Sequence, residues 1–168
     1  MPDIQTTPDE PKRPDADEPV PYDLIELFFF AYRDFVGDPD RILADYGFGR
    51  AHHRVLHFVQ RRPGLTIAEL LDILQITKQS LNRVLKELIE TGYIEQRTGR
   101  QDKRQRHLHA TLAGQELALR LVQPQAKRIA AALDGAGAEA AEVVKRYLSG
   151  LMDSSERQNA RKGPSSRP

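Results

Sequence analysis

Apolar residues recur at helical spacing in two neighbouring stretches of the chain, 67–74 and 81–88. In each stretch they occupy positions i, i+3, i+4 and i+7, which places them on one face of an α-helix and leaves polar residues on the other. The sequence 66–69 has the capping-box pattern at the start of the first stretch, and Thr77 is a capping residue for the second. Gly92 is the kind of residue that ends a helix. The pattern therefore predicts two short helices, separated by a turn, that share one apolar core.

The polar face of the second predicted helix carries side chains that can donate hydrogen bonds to, and accept them from, base edges, and can donate to phosphates. The candidates on and beside this face are Thr77, Lys78, Gln79, Ser80, Asn82, Arg83 and Lys86. A charged face of this kind is also common on helices that only meet solvent. The segment that follows the helix favours the nucleic-acid interpretation.

That segment consists of two short stretches with alternating apolar residues, 93–97 and 106–110, which flank a loop rich in glycine and charge. The pattern predicts a β-hairpin. Five basic residues stand between positions 97 and 106 against the single acid Asp102: Arg97, Arg100, Lys103, Arg104 and Arg106. A cationic hairpin tip suits a phosphate backbone or a narrow minor groove, and a turn that only improves solubility is the alternative. Next to the preceding helix, the hairpin indicates contact with double-stranded DNA.

Five further helices are predicted on either side of this central region. The first, over 22–36, is apolar on almost every side and ends at the break-forming sequence 37–40, after which a separate short helix follows. The C-terminal part predicts a long helix over 111–133, bent at Pro124, and an amphipathic helix over 140–151. A chain of this size cannot cover all these apolar surfaces by itself, so they predict a homodimer held by a helical bundle.

The remaining helix, over 50–60, carries three histidines on and beside its polar face, and its apolar side is Ala51, Val55, Phe58 and Val59. His53 and His57 lie one turn apart and could share a metal ion, but no HExxH arrangement and no fixed third ligand accompany them. His107 and His109 on the hairpin are expected to face DNA phosphate or solvent. Packing in a core or interface is the first expectation for the aromatic residues of the first helix, and lining of an effector site is the alternative. The candidate effector residues are Tyr32, Phe35, His52 and His53.

The hairpin and the helix after it resemble the MarR (multiple antibiotic resistance regulator) family of winged helix-turn-helix transcriptional regulators. The shared pattern is Asp-x-Arg in the hairpin, called the wing, then alternating apolar residues, then Thr-x-x-Gly. It stands here as Asp102-Lys103-Arg104, Leu108 with Ala110, and Thr111-Leu112-Ala113-Gly114. At Ala110 the family usually has a larger aliphatic residue. In the family the aspartate orients the arginine and the arginine inserts beside DNA, so the resemblance implies these roles for Asp102 and Arg104.

Pattern and resemblance together predict a mainly α-helical fold with a small β-hairpin wing. We expect a winged helix-turn-helix domain over 22–153, with a DNA-binding lobe at 65–111 and dimerisation helices at 22–36 and 112–153. The expected function is that of a homodimeric repressor on a pseudo-palindromic operator in double-stranded DNA, because two-fold protein symmetry is mirrored by half-sites. The resemblance implies release by a small-molecule effector. A metal-responsive regulator of the same fold, and a winged helix used only for protein contacts, are the alternatives.

The composition of the chain excludes several kinds of site and function. The 168 residues suffice for one domain, their formal net charge is +1, and they include no cysteine, which excludes disulfides, thiolate metal sites and cysteine redox switches. No catalytic or nucleotide-binding pattern is present, so we expect neither an enzyme nor a cofactor. The acidic, proline-rich segment 1–21 and the basic segment 154–168 are expected to be disordered tails. No signal-peptide or membrane-span pattern is present, which predicts a cytoplasmic protein.

Overall fold

The computed structural model describes residues 20–99 and 105–153, which form six helices and a three-stranded antiparallel sheet. The helices are α1 (Tyr22–Ala44), α2 (Arg50–Arg61), α3 (Ile67–Leu74), α4 (Lys78–Glu90), α5 (Leu112–Asp134) and α6 (Ala140–Leu151), and the strands are β1 (Leu65–Thr66), β2 (Ile94–Thr98) and β3 (Arg106–Ala110). The predicted fold class is confirmed. None of the described helices is long and apolar enough to span a membrane. Residues 1–19 and 154–168, which make up most of the two predicted tails, lie outside the described residues.

The helix-turn-helix at the centre of the chain forms as its capping residues predict. The Thr66 hydroxyl oxygen accepts from the Glu69 amide at 3.2 Å, and the Glu69 carboxylate accepts from the Thr66 amide at 2.8 Å, which completes the capping box at α3. At the start of α4, Thr77 Oγ1 accepts from the Ser80 amide at 3.2 Å. Between the two helices Gln75 adopts a left-handed conformation with φ of 50°. This conformation ends α3 and directs the chain into α4.

One apolar core joins α2, α3, α4, α5 and the sheet. The four apolar residues of α4 that the spacing predicts are all buried: Leu81, Val84, Leu85 and Leu88. They pack with buried leucines that include Leu56 of α2, Leu108 of β3 and Leu117 of α5. Burial of each such side chain stabilises the fold by roughly 1.5–3 kcal/mol. The core therefore holds α4 with its apolar side inward and its polar side outward.

The sheet has the strand order β1-β3-β2, and Leu108 of β3 lies opposite both Leu65 of β1 and Gln96 of β2. Strands β2 and β3 form the predicted hairpin, with β3 at the predicted residues and β2 displaced by one residue. The sequence pattern does not predict β1, because a strand of two residues is too short to show alternation. Its position beside β3 is reinforced by the Gly64 amide, which donates to the Leu108 carbonyl at 2.9 Å.

The predicted break at 37–40 is wrong, because α1 continues through Pro39. A proline has no N–H, so the carbonyl four residues earlier, that of Phe35, loses its helical donor. The buried Gln125 side chain of α5 donates to this carbonyl instead, at 3.3 Å. Asp38 adds an ion pair to an arginine of α5. Contacts with α5 thus keep α1 in one piece where its local sequence favours a break.

The packing of α2 differs from the predicted pattern. Ala51 is exposed, whereas Leu56, which the pattern leaves out, is fully buried. His52, His53 and His57, expected on or beside a polar face, are only partly exposed. The reason is that α2 contacts α1, α4, α5 and the hairpin at once, so little of its circumference faces solvent.

Helices α1 and α6 keep large apolar side chains exposed. Of its 23 residues, α1 buries only Pro39 and Leu43, and α6 buries none. Phe28 of α1 and Tyr147 of α6 contact each other with ring centroids 6.2 Å apart, yet they remain 44% and 45% exposed. These are the surfaces from which the sequence predicts a homodimer. With one chain described, the homodimer stays a prediction.

Candidate nucleic-acid interface

Helix α4 presents a polar face to solvent, opposite the side that packs in the core. The seven predicted contact residues at this helix are all exposed: Thr77, Lys78, Gln79, Ser80, Asn82, Arg83 and Lys86. Within residues 20–99 and 105–153, nothing hydrogen-bonds the side chains of Gln79, Asn82 or Arg83. Their donors and acceptors are therefore available to a ligand.

Other side chains on this face already have partners. The Thr77 hydroxyl donates to Ser80 Oγ at 2.9 Å, so both hydroxyls belong to the cap of the helix. Lys86 lies 3.7 Å from the Glu90 carboxylate one turn later, an exposed pair that contributes little to stability. The three unpartnered side chains are therefore suited to base edges, and the lysines to phosphates.

The described part of the hairpin carries two of the predicted wing cations. Arg97 donates from Nε to Glu95 on the same strand at 2.9 Å, and Arg106 donates from Nη1 to Thr98 Oγ1 at 3.0 Å. Both arginines are exposed. The other predicted wing residues lie outside the described residues: Arg100, Asp102, Lys103 and Arg104.

A shallow groove connects the polar face of α4 to the hairpin. Asn82 and Lys86 of α4 and Gln96 of β2 lie along it. Asn82 and Lys86 are therefore neighbours of the hairpin strand that also carries Arg97. Such a surface combines groups that read base edges with charges that attract a phosphate backbone.

His107 of β3 joins the hairpin to the turn that precedes β1. Its Nδ1 lies 2.7 Å from the Gly64 carbonyl oxygen, and because a carbonyl only accepts, Nδ1 carries the proton and donates. One ring nitrogen of this histidine is therefore bound within the protein, and its contact with phosphate or solvent stays a prediction for the rest of the ring. His109 is also partly buried, and its pKa is lowered mainly by burial and further by the nearby Arg97.

The Thr-x-x-Gly motif docks α5 on the turn that ends α4. The Thr111 hydroxyl donates to the Gly92 carbonyl at 2.6 Å, and it accepts from the Gly114 amide at 3.1 Å. A Cβ atom at Gly114 would lie 2.0 Å from the Tyr93 carbonyl oxygen, so glycine is required for this close approach. The motif thus fixes the start of α5 against the turn between α4 and β2.

A cavity of about 380 Å³ lies between α1, α2 and α5. Its lining residues are Tyr32, Phe35, Val36, Asp40, Arg50, His53, Arg54, His57, Phe58 and Gln125. Tyr32, Phe35 and His53, three of the four predicted effector residues, are thus brought together. His52 is not in this lining, because its ring stacks on Phe48 outside the cavity.

Arginine and histidine supply most of the polar groups of the cavity. Arg50 pairs with Asp40 at 2.8 Å. The pKa of His53 is lowered from its ordinary value by burial and by His57, and the pKa of His57 by burial and by two arginines at the end of α2. The neutral imidazole is therefore favoured at both positions. Within the described parts of the chain, no three histidine, aspartate or glutamate side chains are grouped as metal ligands.

Arg54 and Glu87 are candidate functional residues that the sequence pattern does not indicate. Arg54 lines the cavity and donates from Nη2 to the carbonyl of Leu74, the last residue of α3, at 2.9 Å. Glu87 of α4 accepts from His52 at 2.6 Å. These contacts join α2 to residues 20 and 35 positions further along the chain. Periodicity within one helix carries no signal for contacts of that kind.

Comparisons with known proteins place this geometry among transcriptional regulators. A model of the MarR family matches residues 46–105, which include α4 and the start of the wing. The HTH-type transcriptional regulator PetP of Rhodobacter capsulatus is 51% identical over 129 residues, which cover 77% of this chain and 78% of PetP.

Solved structures share the fold at lower identity. Streptococcus pneumoniae FabT in complex with DNA superposes with a TM-score of 0.66 at 20% identity, over 77% of this chain and 94% of FabT. The crystal structure of MarR gives a TM-score of 0.59 at 23% identity, over 89% of this chain and 99% of MarR. At these identities the likeness shows the fold alone. The identity with PetP over more than three quarters of the chain, together with the family match, shows that the protein belongs to the MarR family, as the wing motif predicts.

Proposed function

We propose that this protein is a sequence-specific transcriptional regulator that acts in the cytoplasm and binds double-stranded DNA as a homodimer. The observation that carries the proposal is the exposed face of α4, where Gln79, Asn82 and Arg83 lie unpartnered. On the same helix, Asn82 and Lys86 share a groove with Gln96 of the hairpin. In a winged helix-turn-helix this helix enters the major groove. The wing arginines then face the adjacent minor groove, whose negative potential attracts them where it is narrow.

The described roles of two similar proteins support this proposal. PetP is named as a transcriptional regulator, and the FabT structure contains DNA. The family match of residues 46–105 includes all of α4 and its caps. We therefore assign base reading to the unpartnered side chains of α4, and phosphate or minor-groove contact to Arg97, Arg106 and the wing residues outside the described part, Asp102 and Arg104 among them.

The homodimer is supported by the apolar faces of α1 and α6. Leu27 and Phe29 of α1 are 62% and 68% exposed, and Leu151 of α6 is 58% exposed. Apolar surface that is contiguous over two helices marks an interface. A second copy of the chain would cover it with two-fold symmetry, and two reading helices would then meet half-sites about one helical turn of DNA apart.

Repression that is relieved by a small molecule is supported by the cavity between α1, α2 and α5. Arg54 connects that cavity to the helix-turn-helix, because its guanidinium donates to the Leu74 carbonyl at the end of α3. A ligand with an acceptor group near Arg54 would compete for this guanidinium. Since only a short turn separates α3 from α4, loss of the bond would shift α4 and weaken DNA binding. A coupling of about 1–3 kcal/mol is typical of such a mechanism.

Binding-site selection from fragmented genomic DNA tests the central proposal. The recovered fragments should share a pseudo-palindromic motif, and the motif should bind at least about 10³-fold more tightly than random duplex at physiological salt. Affinity for both should fall steeply as salt rises. Recovery of no common motif, or equal affinity for selected and random duplex, would contradict the proposal.

Analytical ultracentrifugation at micromolar concentration tests the homodimer. The expected species has twice the chain mass of 19.0 kDa. A charged substitution on the exposed face of α6, Leu148→Glu, should shift the protein toward monomer and reduce affinity for the selected site. Wild-type protein that sediments only as a monomer would contradict this part of the proposal.

A further inference from the structure

An aromatic junction lies where α5 meets the DNA-binding lobe, and it consists of Tyr46, Phe48, His52 and Tyr93. The Phe48 ring stacks on the His52 ring with centroids 4.6 Å apart and planes at 10°. Tyr93, in the turn after α4, packs its ring at a steep angle against Phe48 and Tyr46, with centroids 5.5 and 6.0 Å away. Arg120 of α5 lies over the Tyr46 ring at 5.7 Å and donates to the Tyr46 hydroxyl. The junction thus joins α5, α2 and the end of α4.

His52 makes two directional contacts within this junction. The Gly49 amide N–H lies 3.1 Å from Nδ1, and Glu87 Oε2 lies 2.6 Å from Nε2. Because a backbone amide only donates, Nδ1 is the accepting nitrogen, and Nε2 therefore carries the proton that it donates to the carboxylate. The His52 side chain is only 12% exposed, so most of its ring is shielded from water. The two bonds together fix the ring orientation.

The bond to Glu87 acts on the helix that carries the reading face. Glu87 lies on α4 one turn after Arg83, so the two side chains share one side of the helix, and at Glu87 this side contacts α2. Apolar packing of the leucines beneath α4 is non-directional and tolerates small rotations of the helix. A short hydrogen bond to a carboxylate is directional and strong. The contacts through the junction therefore run without a gap from Arg120 of α5 to α4.

We propose that His52 is a positioning residue, which fixes the angle between α4 and the dimerisation helix α5 through its hydrogen bond to Glu87. The inference rests on the proposed function, because the angle matters only if two copies of α4 read DNA together. His52 contacts no base and no phosphate in this scheme. Its effect is on the separation of the two reading helices, and so on the preferred spacing between half-sites.

Two substitutions of His52 separate its two hydrogen bonds. His52→Gln keeps a donor near the position of Nε2, and His52→Asn keeps an acceptor near the position of Nδ1 but is too short to reach Glu87. Glu87→Ala removes the acceptor from a side chain that is 46% exposed, so it leaves the buried ring in place. Each variant is titrated against the selected site, against the same site lengthened or shortened by one base pair, and against random duplex. Thermal unfolding is recorded in parallel.

The expected result is a loss of spacing preference rather than a general loss of affinity. His52→Asn and Glu87→Ala should each bind the native spacing about tenfold more weakly, as loss of one charge-assisted hydrogen bond allows. Both should bind random duplex as the wild type does. His52→Gln should retain the preference, and the double variant His52→Asn with Glu87→Ala should lose no more than either single variant.

Other outcomes overturn the inference. If His52→Asn and His52→Gln lose the spacing preference equally, the hydrogen bond to Glu87 does not determine that preference. A loss by the same factor on every duplex would show a structural role only. If His52→Asn does not fold, the test rests on Glu87→Ala. An unchanged spacing preference in Glu87→Ala then overturns the inference. Wild-type protein without any preferred site would contradict the proposed function itself.

Discussion

Gln125 of α5 donates from Nε2 to the Phe35 carbonyl oxygen at 3.3 Å, and this is the carbonyl that Pro39 leaves without a helical donor. Gln125 is 8% exposed, so the bond is largely shielded from water. A buried carbonyl without a donor costs about 1–3 kcal/mol. A side chain of one helix therefore replaces a bond that the backbone of another cannot make.

The first prediction is that Gln125 and Pro39 are coupled in stability. Gln125→Leu should lower the free energy of unfolding by about 1–3 kcal/mol, because leucine fills similar space but donates nothing. Pro39→Ala restores an N–H to α1, so it should rescue part of that loss in the double variant. Urea unfolding of the four proteins gives the coupling energy. Additive losses would show that the Gln125 amide does not replace the missing donor.

The second prediction concerns Gly114. Gly114→Ala should lower the free energy of unfolding by about 1–3 kcal/mol or more, because the new Cβ meets the Tyr93 backbone oxygen at 2.0 Å and one of the two segments has to move. Gly135→Ala at the end of α5 is the matched control, since Gly135 has a φ of −80° and a Cβ there meets nothing within 4 Å. The control should be neutral or stabilising by up to about 1 kcal/mol. Equal effects of the two substitutions in urea unfolding would contradict the close approach.

The third prediction separates base reading from charge. Gln79→Ala and Arg83→Ala should each cost about 1–3 kcal/mol on the selected site and relax the preference at particular base pairs. Their affinity for random duplex should barely change. Lys127→Ala on α5 is the control for removal of an exposed charge away from α4. If the two α4 variants weaken selected and random duplex equally, these side chains contact phosphates instead.

The fourth prediction concerns Arg104, which lies outside the described residues and whose role rests on the family resemblance. Arg104→Ala should weaken binding and make the slope of log affinity against log salt shallower by roughly one unit. Asp102→Ala should give a smaller loss, because it removes an orienting partner but leaves the cation. Arg104→Lys should keep the salt slope while losing part of the preference for narrow A·T flanks. An unchanged slope in Arg104→Ala would mean that the wing does not touch DNA.

The fifth prediction is a loss of stability at mildly acidic pH that depends on His53 and His57. Burial lowers the pKa of both below the ordinary value of 6.5, so the unfolded chain binds more protons than the folded protein as the pH drops below that value. The stability that the two neutral histidines contribute is complete above about pH 6.5. It is lost as the pH falls through their lowered pKa values in the folded protein. Replacing both with asparagine should flatten the fall in stability between about pH 7 and 5, measured by urea unfolding. An identical pH profile in wild type and variant would contradict this assignment.

Local sequence was sufficient for the features that depend on local chemistry. The capping box at Thr66, the cap at Thr77 and the glycine end of α4 all form because the interacting groups are within four residues of each other. The hairpin likewise follows from alternation and a polar loop. The break predicted at 37–40 is wrong because Gln125 supplies the missing donor, and Gln125 is 90 positions away from the Phe35 carbonyl that it satisfies.

The candidate interface also contains features that local sequence predicts and features that depend on distant residues. The exposed face of α4 could be predicted, since burying one side of an amphipathic helix exposes the other. The surroundings of His52 could not, because they depend on Glu87, 35 positions along the chain, and on an aromatic ring from a loop. The wing roles come from the family resemblance, and its Asp-x-Arg sequence has no periodicity from which they could be derived.

Because α1 is continuous, a small rotation at one of its ends produces a large displacement at the other. Its 23 residues extend over about 34 Å, from exposed apolar side chains near Leu24 to Leu43 in the core of the DNA-binding lobe. With no break at 37–40, a tilt of about 6° about one end moves the other end by roughly 3–4 Å. That displacement is close to the rise of one base pair along DNA, about 3.4 Å. In the proposed homodimer, a rotation of a few degrees where the two copies meet would therefore displace the Leu43 end of α1 by about one base-pair step.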